Sequence, residues 1–257
     1  MSVISLVLGL AVLTGCALNK GTALAADFAN DWAGTPDVVD IRTNAENTLP
    51  FLGQATGVLV LADGTPADRV TGLAGELREY VVRHDEITGR IAADGVTFTV
   101  VGNESRTGEA LGLWRSLAAD ERVADGDIRA AVRKETDRWW VGITAVDAAG
   151  ALALFRDMVA DGGRHRPPAG GTSLQVNTER GARTGLMVGT GSDGGAPTGA
   201  IAAYEAVAAR YQVVHASLKP DRASIVVAQS ADRDHAEELA RRAAPTLGAV
   251  EVTRRVR

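Results

Sequence analysis

Residues 57–101 read GVLVLADGTPADRVTGLAGELREYVVRHDEITGRIAADGVTFTVV, and the parsing of this stretch decides the fold. Gly57-Val58-Leu59-Val60-Leu61 is an apolar run of strand length, closed by the polar turn Ala62-Asp63-Gly64. Thr65 then offers a capping hydroxyl, with Pro66 at the first helical position and Asp68 three residues after the cap. Val70, Leu73, Leu77 and Tyr80 fall on one stripe, the spacing of a helix that buries a single face. Asp94-Gly95 is the strongest hairpin signal in the chain, because both residues tolerate the positive φ that a tight turn needs. Val96–Val101 continues as a strand, and the segment between helix and hairpin leaves room for one strand more.

Working outward, the same event recurs at intervals of about 40–45 residues, long enough for one supersecondary unit. Further strands are predicted at Val141–Val146, Leu186–Gly189 and Ile225–Ala228. Each is followed by a helical stripe: Ala151, Leu152, Phe155 and Met158; Ile201, Tyr204, Val207 and Tyr211; Ala236, Leu239, Ala240 and Ala243. The strand at Val96–Val101 leads to Ala110, Leu113, Trp114 and Leu117. Ser105, Asp147, Thr198 and Ser230 are candidate caps for these helices. Glu135-Thr136-Asp137, Glu179-Arg180-Gly181 and Lys219-Pro220-Asp221 supply turns in the positions that Asp94-Gly95 occupies first. Val38-Val39-Asp40-Ile41 reads as an opening strand and Val250-Glu251-Val252 as a closing one.

The expected class is α+β, built from repeated strand-strand-helix units. Their most economical assembly is a tandem of ferredoxin-like, split βαβ sandwiches with mainly antiparallel sheets and helices on one face. Tight turns weigh against a doubly wound parallel sheet, whose neighbouring strands need crossovers. The predicted organisation is a first α+β unit at 37–135 and a second at 136–257 that includes a C-terminal strand-helix-strand. Gly162–Gly171, rich in Gly, Pro and Arg, is read as a loop inside the second unit.

Upstream, an apolar run from Val3 ends in Leu13-Thr14-Gly15-Cys16, and Cys16 is the only cysteine in the chain. The run has the length of a signal-peptide core and is too short to span a bilayer. This stretch resembles the lipobox of bacterial lipoproteins. The resemblance implies cleavage after residue 15, acylation of Cys16, and attachment to the extracytoplasmic face of the cell membrane. Residues 16–36 would then be the lipidated cysteine and a flexible tether with a reach on the order of 25 Å. With Cys16 acylated, no thiol is left for disulfide, metal or redox chemistry.

Composition narrows the function further. The 257 residues carry a formal charge of −5, which argues against nucleic-acid binding and predicts no anionic-lipid adhesion beyond the anchor. Aromatic residues make up 4%, so the core must rest on Ala, Val, Leu and Ile. Lysine occurs only at positions 20, 134 and 219 against abundant arginine, as in GC-rich, for instance actinobacterial, coding sequences.

Two candidate sites stand out. Gly189-Thr190-Gly191-Ser192-Asp193-Gly194-Gly195 lies between a strand and a helix, where backbone N–H groups can cradle a ligand; Gly189, Gly191, Ser192 and Asp193 are its candidate residues. It lacks the Lys-Ser/Thr of a P-loop, and Asp193 would repel a phosphate. Trp139-Trp140 is the candidate partner contact, because successive strand residues face opposite sides and both indoles cannot enter one core. Histidines 84, 165, 215 and 235 show no metal-ligand spacing, so no metal or cofactor is expected. Arg241-Arg242 and Arg254–Arg257 read as charge on a helix face and on an edge strand. The reading is an envelope binding or scaffolding module, non-enzymatic, with an envelope protein or wall polymer as partner. The alternative is a hydrolase or small-ligand enzyme that uses the Gly189–Gly195 loop and a histidine such as His215.

Overall fold

The computed structural model describes residues 19–49, 52–130, 138–229 and 232–254. After helix α1 (Lys20–Trp32) and strand β1 (Val38–Leu49), a two-strand, one-helix unit repeats. Its strands are β2 (Leu52–Leu61), β3 (Ile87–Ala93), β4 (Val96–Val100), β5 (Val123–Ala130), β6 (Trp139–Ala145), β7 (Thr172–Thr178), β8 (Gly185–Gly189), β9 (Val213–Lys219), β10 (Arg222–Val227) and β11 (Ala249–Arg254). Helices α2 (Ala67–Arg83), α3 (Glu104–Ala118), α4 (Ala148–Val159), α5 (Thr198–Ala208) and α6 (Arg233–Ala243) form the crossovers. The eleven strands make one mixed sheet in strict chain order.

This overturns the tandem ferredoxin-like sandwiches. A split βαβ unit leaves a gap between its two parallel strands, which a third strand fills. Here each crossover joins strands that are directly bonded, such as Ala55 to Ile87 across β2 and β3 or Trp139 to Thr172 across β6 and β7. Nothing interleaves, so the sheet grows in one direction. Turn-linked neighbours are antiparallel and helix-linked neighbours parallel, five pairs of each. The expectation of mainly antiparallel pairing fails with the sandwiches. The sheet also runs unbroken through β5 and β6, where Ile128 pairs with Val141.

All six helices lie on one face. Phe28 and Trp32 of α1 meet Tyr80 of α2, Arg156 of α4 reaches Glu205 of α5, and α2–α3 and α5–α6 pack together. Strand direction reverses at every antiparallel pair while the sheet keeps advancing toward one edge. Successive crossovers on the same face must therefore alternate in hand, so at least two of the five oppose the usual right-handed preference. The congruent unit is accordingly the two-helix segment βαββαβ. Gly57 of β2, Val141 of β6 and Ile225 of β10 stand at equal intervals of 84 residues and all face the helices.

Period-two alternation sorts the two faces of the sheet. Leu59, Ile91, Phe98, Ile128, Val141 and Leu174 form a buried row across six strands, each paired with the next. The adjoining row on the opposite face reads Thr97, Asp127, Gly142, Gln175 and Gly189. One face is a hydrophobic floor under helices, and the other is polar and, among the described residues, uncovered.

Local signals fare unevenly. Asp94 and Gly95 adopt φ of 48° and 75°, as a primed hairpin turn demands. Asp147 caps α4 by accepting from the Gly150 N–H at 2.7 Å. Asn103, not Ser105, caps α3, and the Thr65 hydroxyl donates to the Ala62 carbonyl while Pro66 takes the cap position of α2. Thr198 is the first residue of α5, whose cap position falls to Pro197. Ser230 and the Glu135–Asp137 turn lie outside the described residues. The largest local correction is at the N-terminus. Residues 20–32, read as flexible tether, are helix α1, whose Phe28 is fully buried and whose Trp32 is nearly so.

Candidate functional site

The uncovered face carries a groove of about 580 Å³ over β6–β9. Both sequence candidates border it, Trp140 on one side and the Gly189–Asp193 loop on the other. The register explains the meeting. Trp140 pairs with Ser173, Gln175 with Gly189, and Val188 with Leu218, so three parallel or antiparallel steps carry β6 to the end of β9. The β9–β10 turn, Lys219-Pro220-Asp221, closes one end.

Trp139 and Trp140 separate as strand geometry requires. Trp139 is 2% exposed and belongs to the helix-covered core, with the Arg106 guanidinium 5.4 Å from its ring. It cannot be a partner contact. Trp140 stands on the open face. Its benzo edge bends back along β6 over Gly142, where a Cβ would lie 2.1 Å from the ring. Only glycine permits that approach. On the β5 side, the Arg129 guanidinium lies 5.0 Å from the indole centroid. Arg129 is itself held by Asp127, whose carboxylate accepts from its Nε at 2.7 Å and also pairs with Arg90. The indole is thus a fixed wall with Arg129 behind it and the groove before it. Cation–π attraction and glycine clearance hold it there without a covering helix.

Four N–H groups of the Gly189–Gly195 loop are engaged within the protein. Thr190 N–H donates to the Leu174 carbonyl, Gly191 N–H to Gly195 O, Gly194 N–H to Gly191 O, and Gly195 N–H to the Asp193 carboxylate at 2.9 Å. Its donors are largely turned inward, so the loop is a self-braced rim. Asp193, Lys219 and Asp221 bring charges of both signs to the groove. Ser173 and Gln175 add a hydroxyl and an amide to its floor, and the Gln175 amide donates to Asn177 at 3.2 Å.

His215 stands on the open face opposite Gly185, so it is not beside the loop. No histidine lines the groove. His84 stacks on Tyr80 with centroids 4.4 Å apart, and His235 is exposed on α6. His165 is the surprise. Its Nδ1 lies 3.0 Å from Ser116 Oγ, and its Nε2 lies 2.9 Å from Asp120 Oδ2. These are the residue types of a hydrolase relay. However, the His165 side chain has no exposure, Asp120 is 2% exposed, and Ser116 Oγ also donates to the Leu113 carbonyl. No ring edge is open to a substrate. Arg122 grips Asp120 through its backbone N–H and guanidinium and reaches Asp157 on α4 at 2.8 Å. Those bonds hold the Asp120 carboxyl far below the usual carboxylate range, against the opposing effect of burial, with the His165 hydrogen bond helping. The group is a clasp that pins the 160–171 loop to the end of α3. Sequence reading missed it because Ser116, Asp120 and His165 are joined only through the loop's path.

Arg241 and Arg242 pair with Glu237 and Glu238 one helical turn back, as charge on an exposed helix face does. Cys16 and Arg255–Arg257 lie outside the described residues. Among the described residues no cluster of three His, Cys, Asp or Glu side chains is placed to hold a metal ion. No described helix is long and apolar enough to cross a membrane. No protein-family model, curated protein or solved structure matches the chain.

Proposed function

We propose that the chain is a cell-envelope lipoprotein, acylated at Cys16 and held on the extracytoplasmic face of the membrane, whose folded body is a non-enzymatic binding module. The observation that carries the binding role is the groove on the helix-free face, where the Trp140 wall meets the braced Gly189–Asp193 rim. Concave sites with an aromatic surface and a few convergent polar groups are the ordinary form of ligand sites. The anchor is supported by Leu13-Thr14-Gly15-Cys16 at the end of its apolar run. With α1 starting at Lys20, the acylated residue would stand within about 14 Å of folded structure, four residue steps away. The body would therefore ride close against the bilayer.

Two measurements test this. Fractionation of cells that express the wild type or Cys16→Ser should move the variant from the membrane to the soluble exported fraction; unchanged membrane retention overturns the anchor. Hydrogen exchange of the full chain with and without solubilised envelope extract should show protection on the open strands β6–β9. Protection confined to the helical face, or none, overturns the binding role.

A further inference from the structure

We infer that the groove takes a neutral saccharide, one ring of which stacks on the face of Trp140 turned away from Arg129. This rests on the binding role proposed above and names its ligand class. The indole is held from behind by Arg129 at 5.0 Å and from below by the clearance over Gly142. Its free face is thus presented before any ligand arrives. Such a face attracts the slightly positive C–H groups of a sugar ring, since the π system is negative above its plane. Around it stand acceptors and donors together: carboxylates at Asp193 and Asp221, an ammonium at Lys219, an amide at Gln175 and a hydroxyl at Ser173. A ring whose every hydroxyl both donates and accepts matches this mixture.

Other ligand classes fit less well. Two carboxylates against one ammonium disfavour a phosphate or carboxylate ligand, and four of the loop's N–H groups are already engaged within the protein. A long apolar chain would bury the charged rim without pairing it, which is costly. A volume of about 580 Å³ lies within the range of small-ligand sites, and its lining reaches from Trp140 across β7 and β8 to Asp221, so a short oligosaccharide can extend from the stacked ring.

The test titrates the full chain in detergent with cellotriose, chitotriose and maltotriose, and in parallel with adenosine and inorganic phosphate. Tryptophan fluorescence and calorimetry are the readouts. At least one trisaccharide should bind saturably and shift the fluorescence. Trp140→Ala should weaken that binding at least about tenfold, Trp140→Phe should retain more of it, and Gln175→Ala should weaken it with the fold unchanged by circular dichroism. Saturable binding of adenosine or phosphate in place of the sugars overturns the inference, as does saccharide binding indifferent to Trp140→Ala. No response to any trisaccharide at millimolar concentration also overturns it. In that last case, continued protection of β6–β9 by envelope extract would keep the binding role, whereas loss of that protection would remove both.

Discussion

Trp140 and Gly142 share the open face of β6, and the benzo edge of the indole occupies the space that a side chain at 142 would need. The two residues are a single device. Glycine is weak in strands because it packs nothing and stiffens nothing. Here its bareness lets the largest side chain lie back along the strand and stand as a wall.

Gly142→Ala should therefore be destabilising, although alanine is the better strand residue. Forcing a methyl into that contact should cost about 1–3 kcal/mol and rotate the indole away from Arg129. Chemical denaturation gives the cost, and the tryptophan emission spectrum reports the rotation. An unchanged spectrum with unchanged stability would contradict the placement.

Helix α1 is part of the fold, and its loss of packing should be measurable. Phe28 is fully buried above Gly57, and the Tyr80 hydroxyl donates to Asp31 at 2.9 Å, tying α1 to α2. Phe28→Ala should cost about 3–5 kcal/mol, as for other fully buried aromatics. Tyr80→Phe should cost about 1 kcal/mol and raise hydrogen exchange in α1 before other elements. A flexible tether would make both substitutions silent.

Acid should unfold the chain in part through Asp120. Its carboxyl is held well below the ordinary range, chiefly by the Arg122 side-chain hydrogen bonds. A depressed folded value contributes stability above the unfolded value, about 3.9, and that stability is lost as pH falls below it. Asp120→Asn should flatten the acid limb of a stability-versus-pH curve below about pH 4. At neutral pH it should cost about 3 kcal/mol, because Arg122 and His165 lose their anion. An acid limb identical to the wild type would show that other carboxylates govern it.

Two of the buried core indoles, Trp114 and Trp139, should respond differently to the same change. Trp114 Nε1 donates to the Ala93 carbonyl at 3.1 Å, whereas Trp139 Nε1 is buried without a partner among the described residues. Trp114→Phe removes the hydrogen bond to the Ala93 carbonyl; Trp139→Phe removes no hydrogen bond among the described residues. Trp139→Phe should be the milder by about 1–2 kcal/mol, read from urea midpoints.

Much of this protein is legible along the chain. Apolar runs located β1, β2, β4, β6, β8, β10 and β11, the three- and seven-residue stripes located α2 to α6, and Asp94-Gly95 marked its turn. The same alternation separated Trp139 from Trp140, since neighbouring strand residues always face apart. These features are local: each depends on a few residues and on the burial of one side. Which strand pairs with which is different. Backbone hydrogen bonds between strands are indifferent to side-chain identity, so βαββαβ can interleave as a split sandwich or extend as one sheet with the same periodicities. Only tertiary structure decided for the single sheet, and with it the uncovered face. It also made α1 a packed element, since its stripe gains a partner only when β1, β2 and α2 are in place. Trp140 and the Gly189–Asp193 loop, about fifty residues apart, border one groove for the same reason. Sequence reading named the parts of that site singly, and the register of β6 to β9 put them together.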